Sequence, residues 1–303
     1  MDRLEVNAGG VIMQNPVATA SGTCGYGDVY TDSYGPSELG AIVVKGLSLK
    51  PRSGNPAPRM AETPCGMINS IGLENIGLKA FLENKLPWLR ETGATVVVNI
   101  FGESPDEYAS LAAELDNASG VAGLELNISC PNVKAGGILF GSDPSIAADL
   151  VARVKNKTCL PLWVKLSPAA DVPAMARAVE DAGASAISLI NTIPAMAIDV
   201  ESRKPALAAG RGGLSGPAIK PVALRMVYEA ARAVKVPVIG IGGISDARDA
   251  LEFLLAGATA VQVGTAGFVD PSAPVRIVRG ILEYMERHGF DTVGELSGAL
   301  LEA

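Results

Sequence analysis

Cys130 stands in the run Asn127 to Gly137, NISCPNVKAGG, with Ser129 before it, Pro131 after it and the asparagines Asn127 and Asn132 on either side. A thiol that only fills a core needs no carboxamides around it, so packing alone does not explain the asparagines. A free thiol titrates near ~8.5, so a cysteine that reacts at neutral pH must be tuned by a nearby cation or by a water-poor loop. Cations are available. Lys45 ends the apolar run AIVVKG and Lys165 sits in LWVKLS, so each carries its charge to the end of a buried segment, where it needs an anionic partner. No acidic residue ends a matching run, which leaves a bound anion or an acidic loop residue to answer them. The runs GIGGIS and VGTAGF place glycines and backbone N–H groups ahead of helix starts, a pattern that suits phosphate.

Other chemistries fit less well. The single histidine, His288 in EYMERHG, reads as a solvated helix position, so a Cys–His or Ser–His pair is not expected. Cys24, Cys65 and Cys159 are scattered, form no CxxC pair and read as small buried hydrophobes, so no metal is expected on this chain.

These residues need elements to hold them. Eight short apolar runs recur along the chain: NPVATASG (Asn15 to Gly22), AIVVKG (Ala41 to Gly46), TVVVNI (Thr95 to Ile100), LELNIS (Leu124 to Ser129), LWVKLS (Leu162 to Ser167), AISLIN (Ala186 to Asn191), VIGIGG (Val238 to Gly243) and AVQVGT (Ala260 to Thr265). Between most of them lie segments of helical period, among them SPDEYASLAAELDNAS, SDPSIAADLVARVKNK, VPAMARAVEDAG, GPAIKPVALRMVYEAARAV and SDARDALEFLLAG, several of them opened by Ser, Asp or Pro and closed by Gly. Eight buried strands alternating with helices predict a closed parallel (β/α)8 barrel in which residues 1–303 form a single domain. In such a barrel the polar residues at the strand ends, Ser21, Lys45, Asn99, Asn127, Lys165, Asn191, Gly242 with Gly243, and Gly264 with Thr265, share one face. That face is where barrel enzymes keep their active sites.

Composition narrows the partners. The 303 residues are 48% hydrophobic and 19% charged with a formal charge of -7, a soluble globular balance with no basic field for nucleic acid. The N-terminal stretch MDRLEVNAGGVIMQN lacks the pattern of a signal peptide, and no apolar stretch reaches the length of a spanning helix. A cytoplasmic protein without a membrane partner is expected. A barrel lyase or isomerase acting on a phosphorylated substrate would use the same glycine loops and a strand-end lysine; a non-catalytic scaffold would need neither lysines nor asparagines at its strand ends.

The chain resembles the dihydroorotate dehydrogenases of class 1, most closely the catalytic chains of class 1B. The resemblance spans nearly the whole sequence and is carried by ASGTCGYG (Ala20 to Gly27), VVKGLSLKPRSGNPAPRMAETPCGMINSIGLEN (Val43 to Asn75), NISCPNVKAGG, WVKLSP, NTIPAMAIDVESRKPALAAGRGGLSGPAIKP (Asn191 to Pro221), GIGGIS and VGTA. Two positions depart from the family pattern: Cys24 replaces a larger apolar residue, and Ala195 replaces a glycine.

The resemblance implies FMN-dependent oxidation of dihydroorotate to orotate in pyrimidine biosynthesis, with Cys130 taking the C5 proton while the C6 hydride passes to the flavin. It implies that Lys45, the segment Asn69-Ser70-Ile71-Gly72-Leu73, Asn127, Asn132, Asn191 and Thr192 hold the substrate, Lys45 answering its carboxylate. Carboxamides suit the alternating donors and acceptors of a cyclic imide. It assigns the flavin to Ala20, Ser21, Lys45, Gly46, Asn99, Asn127, Lys165, Ile190, Gly216, Gly242, Gly243, Gly264 and Thr265, with Lys165 stabilising negative charge on the reduced ring. Val133 to Gly137 reads as a lid hinge. No dinucleotide motif is present, so class 1B membership implies a homodimer that joins an electron-transfer subunit carrying FAD and a [2Fe-2S] cluster in a heterotetramer, electrons passing to NAD. The alternative within class 1 passes them to fumarate; the membrane-bound class, with its serine base, does not match Cys130.

Overall fold

The computed structural model describes residues 3–129, 140–168 and 171–301. Its centre is a barrel of eight parallel strands: β1 (Val17–Thr19), β2 (Ile42–Val43), β3 (Val96–Ile100), β4 (Gly123–Asn127), β5 (Leu162–Lys165), β6 (Ala186–Leu189), β7 (Val238–Ile241) and β8 (Ala260–Val263). Each falls within one of the eight apolar runs except that β4 begins one residue earlier, at Gly123, and every strand residue is buried. Continuous burial is the signature of a parallel sheet covered on both faces, which is why these strands read as unbroken runs and not as alternating ones.

Each strand pairs with its neighbour in sequence, β2 through β8, and β8 pairs with β1. The ring closes between β1 and β2 through an Ala18–Ala41 bridge. Thr19 supports that seam with its side chain, its Oγ1 accepting from the Val43 N–H at 3.0 Å and donating to the Val43 carbonyl at 3.3 Å.

Helices follow β2 to β8. The expected ones are Pro105–Asp116, Pro144–Lys155, Val172–Asp181, Lys220–Ala233 and Ala247–Leu255. Four open on the capping residues that the sequence signals, Ser104, Asp143, Asp171 and Asp246, whose side chains accept from N–H groups of the first turn. The last helix, Ala273–His288, ends on Gly289 in the left-handed conformation at φ 75°. His288 is exposed there, its ring 4.2 Å from that of Tyr284. Between β1 and β2 the described chain has only a single 3-10 turn, Pro36–Glu38.

The two ends of the barrel are closed differently. A hairpin, Val6–Ala8 with Val11–Met13, covers the N-terminal end, where the Ala8 carbonyl accepts from the Trp163 indole at 2.7 Å. Over the C-terminal end lies a four-stranded antiparallel sheet in the order Ile193–Ala195, Gly212–Ser215, Gly66–Asn69, Met60–Thr63. The alternating pattern of a half-exposed sheet is too short in these pieces of three or four residues to stand out in the sequence.

Candidate active site

The strand ends and the antiparallel sheet enclose a cavity of about 400 Å³, within the range of small-molecule and cofactor sites. Ala20 and Ser21 after β1, Lys45 and Gly46 after β2, Asn99 in β3, Asn127 in β4, Lys165 in β5, Ile190 to Thr192 after β6, Gly242 and Gly243 after β7, and Gly264 and Thr265 after β8 all line it. Asn69, Ile71, Gly72, Leu73 and Gly216 complete the same wall from the overlying loops and sheet. Ser70 does not line the cavity: it is buried, and its hydroxyl accepts from Asn55 at 2.9 Å, so it fixes the loop from behind. Cys130, Asn132 and the segment Val133 to Gly137 lie outside the described residues.

The two lysines have different surroundings. Lys165 is 5% exposed, and its ammonium donates to Ser21 Oγ at 3.2 Å; among the described residues no carboxylate reaches ion-pair distance of it. Lys45 is less enclosed and does have an acid, Glu74, with Nζ 3.7 Å from Oε2. The counter-charge to Lys45 is therefore the acidic loop residue, whereas Lys165 faces the cavity with a neutral hydroxyl as its partner.

Beneath Lys165 is a carboxylate that the apolar runs conceal. Glu125, in the middle of β4, is fully buried and accepts three hydrogen bonds: from Asn99 Nδ2 at 2.7 Å, from Ser188 Oγ at 2.9 Å and from Gln262 Nε2 at 2.7 Å. Four strands thus converge on one side chain. Because Asn99 spends its N–H₂ on Glu125, its Oδ1 is turned away and has no partner. That oxygen lies beside Gly46, where a Cβ would come within 2.9 Å of it. The acid in LELNIS, two residues before Asn127 and so on the same face of the strand, is the signal that could have found it.

A second network orders the asparagines. Ser129 is buried and donates from Oγ to Asn127 Oδ1 at 3.0 Å, while accepting from Asn191 Nδ2 at 3.0 Å. Asn191 Oδ1 accepts from the Thr192 N–H at 2.7 Å. These bonds assign the amide orientations and leave Asn127 Nδ2 as the donor for the cavity. Thr192 fits only because the residue it packs against is Gly213, where a Cβ would meet Thr192 Oγ1 at 1.8 Å. Gly212 and Gly213 of GRGGLSG therefore serve close packing on Asn69 and Thr192.

The other cysteines differ from expectation in part. Cys24 is buried, and burial pushes its thiol up to about 11. Cys65 and Cys159 are exposed, because one sits in the tight turn joining Met60–Thr63 to Gly66–Asn69 and the other in the loop that Asp116 ties down through the Cys159 N–H at 2.7 Å. Ala195, where a glycine was expected, lies in an extended strand opposite Gly212 and not in the left-handed region, so its methyl group costs no backbone strain.

A glycine-rich cradle forms the far side of the cavity. Gly216, Gly242 and Gly243 have φ of 93°, 131° and 72°, conformations that leave backbone groups uncovered and that side chains resist. The donor set fits a flavin nucleotide: a buried cation and an unpaired carbonyl on the floor match the alternating acceptors and donors of a pyrimidine edge, and the cradle has no side chain that would fill the space of a phosphate.

The family model for dihydroorotate dehydrogenase matches residues 3–285. Among curated relatives, the dihydroorotate dehydrogenase B (NAD(+)) catalytic subunit of Geobacter sp. strain M21 is 57% identical over 98% of both chains. That of Citrifermentans bemidjiense is 58% identical and that of Geobacter metallireducens 55%, again over 98% of each chain.

Proposed function

We propose, since this chain belongs to the dihydroorotate dehydrogenase family, that it oxidises dihydroorotate to orotate for pyrimidine biosynthesis and works as the FMN-binding catalytic subunit of an NAD-linked enzyme. The observation that carries this reading is the pairing on the cavity floor of a buried Lys165 lacking an acid and a buried Asn99 Oδ1 lacking a donor, an arrangement that the imide edge of a flavin satisfies at both points. FMN, when bound, supplies the acceptor for the hydride that leaves C6. Lys165, Asn99 and Ser21 hold the ring, and the backbone around Gly216, Gly242, Gly243, Gly264 and Thr265 holds the phosphate.

The substrate's ring is held by Asn69, Asn127, Asn132, Asn191 and Thr192, and its carboxylate by Lys45. Their fixed orientation matters as much as their identity, because a ring with mismatched groups leaves buried amides unpaired and is rejected by orders of magnitude. The sulfur of Cys130 takes the C5 proton. Cys130 follows Ser129 directly in the chain, and Ser129 is the residue that ties Asn127 to Asn191.

Electrons leave for NAD through a separate subunit with FAD and a [2Fe-2S] cluster, docked on a homodimer of this chain in a heterotetramer. Supporting an assembly, Met196, Ile198 and Val200 are all exposed along one short segment, more apolar surface than a free hairpin has use for. Among the described residues no helix is long and apolar enough to cross a membrane.

The test is spectroscopic. The purified chain should carry oxidised flavin bands that bleach on anaerobic addition of dihydroorotate, and should reduce NAD only after the electron-transfer subunit is added. A colourless protein that takes up no FMN, or flavin bands indifferent to dihydroorotate, would refute the reading.

A further inference from the structure

The carboxylate end of the proposed substrate must enter a part of the cavity that already holds a carboxylate. Glu74 lies on the cavity wall with Lys45 and Arg59. One of its oxygens, Oε2, takes both cations, Arg59 Nη2 at 2.8 Å and Lys45 Nζ at 3.7 Å. The first is a short charge-assisted hydrogen bond and the second a loose ion pair, so Arg59 is the settled partner and Lys45 the one that an incoming anion can take over.

Glu74 is not there by side-chain chance. The two residues before it, Gly72 and Leu73, have φ of 77° and 58°, and a left-handed leucine persists only where its surroundings hold it. The surroundings do so on both sides. The Asn55 N–H donates to the Ile71 carbonyl at 2.9 Å, and the backbones of Arg52 and Asn75 pair at 2.9 and 3.0 Å. The buried Asn75 side chain further ties Ser48 and Gly77. The loop therefore delivers a carboxylate to a fixed place beside Lys45.

We propose that Glu74 is a specificity-setting residue that holds the carboxylate subsite at one net positive charge. Lys45 and Arg59 contribute two positive charges and Glu74 one negative, which leaves one. A ligand with a single carboxylate neutralises it; without Glu74 the subsite would keep two positive charges and retain the anionic product more tightly. The inference rests on the reading that Lys45 receives the substrate's carboxylate. The side chains of Lys45, Arg59 and Glu74 are 24%, 31% and 39% exposed, so solvent weakens the effect without removing it.

The experiment titrates FMN-loaded wild type, Glu74→Gln and Glu74→Asp with orotate and with orotamide, its neutral carboxamide, following the flavin spectrum and binding heat. Glu74→Gln keeps an acceptor for Arg59 and removes only the charge. It should tighten orotate by several-fold to about tenfold, leave orotamide unchanged and steepen the loss of orotate affinity with salt. Glu74→Asp should restore the wild-type ratio of the two affinities. Orotate binding that is unchanged or weaker in Glu74→Gln overturns the proposal, as does an equal shift for both ligands, which would make Glu74 a structural prop. Wild type that binds neither ligand refutes the functional reading itself and takes this inference with it.

Discussion

Four strands meet on one carboxylate at the floor of the cavity, while two cationic side chains meet on another at its mouth. Glu125 is fully buried and has three donors at 2.7 to 2.9 Å; Glu74 is part-exposed and divides one oxygen between two cations at 2.8 and 3.7 Å. The floor is dry and built from residues whose backbones are locked in the barrel, so each hydrogen bond there dictates the direction of the next: Glu125 orients Asn99, and Asn99 then presents a bare carbonyl. The mouth is wetter and its bonds can be exchanged. A cofactor that stays bound suits the first environment, and a substrate that arrives and leaves suits the second.

The largest effect separates chemistry from both regions. Cys130→Ala removes the proposed proton acceptor and leaves Glu74 and Glu125 unsubstituted, so flavin reduction by dihydroorotate should slow by about 10²- to 10⁴-fold while FMN and orotate still bind. Stopped-flow bleaching of the variant at the wild-type rate would remove Cys130 from the mechanism.

Breaking the floor should cost stability first. Glu125→Ala leaves three buried donors without an acceptor and a hole in the barrel, a loss of about 3–5 kcal/mol, read as a lower denaturation midpoint. Glu125→Gln is the sharper probe. Its new N–H₂ opposes donors, and Asn99 can relieve the clash only by turning its Oδ1 inward, which presents an N–H₂ where the cavity now has an acceptor. Weaker FMN retention with a smaller stability loss than in the alanine variant is expected; unchanged FMN affinity in Glu125→Gln would show that the direction of Asn99 does not matter to the cofactor.

How far these regions are legible in the sequence follows from the same contrast. The eight strands are visible because burial on both faces leaves unbroken apolar runs, and the cavity lining is visible because polar residues end them. Lys45 and Lys165 stand out as charges after apolar residues. Glu125 does not, since a lone acid inside LELN reads as the solvent face of a half-buried strand until the barrel turns that face inward. Glu74 and Arg59 are hidden for a different reason. They meet only because the hairpin segment between Gly54 and Asn75 folds back over the barrel mouth, and nothing in their spacing announces that an arginine and a glutamate 15 residues apart will form a 2.8 Å pair. Cys65 and Cys159 show the limit of composition: free cysteines are more often buried, and these two are exposed because turn geometry, not hydrophobicity, places them.

A milder pair of substitutions contrasts the lysines. Lys45→Ala should weaken orotate by roughly 10- to 100-fold, the worth of one charge-assisted bond, with flavin potential little changed. Lys165→Ala should lower the flavin reduction potential or its occupancy and affect orotate less. Equal effects of both variants on both ligands would mean that floor and mouth form one site without division of labour.

The smallest effect concerns Cys24, which belongs to the mouth by its position after β1 and to the floor by its environment. Burial raises its thiol from the ordinary 9.0 to about 11, so the folded protein holds this proton across a range in which the unfolded chain has lost it. Stability should then fall with rising pH, beginning near 9.0 and continuing until the folded-state thiol itself ionises near 11, and it should be unaffected by this group below 9.0. Two pH units correspond to about 3 kcal/mol at most. Cys24→Ala should flatten that part of the alkaline stability curve, though not all of it, because burial also raises the Tyr34 phenol. Thiol labelling gives an independent measure: at pH 8 the native protein should react at the exposed Cys65 and Cys159 while Cys24 stays protected until the chain unfolds. Rapid labelling of Cys24 in the folded protein would show that the seam between β1 and β2 opens, and that the dry region ends lower in the barrel than its packing indicates.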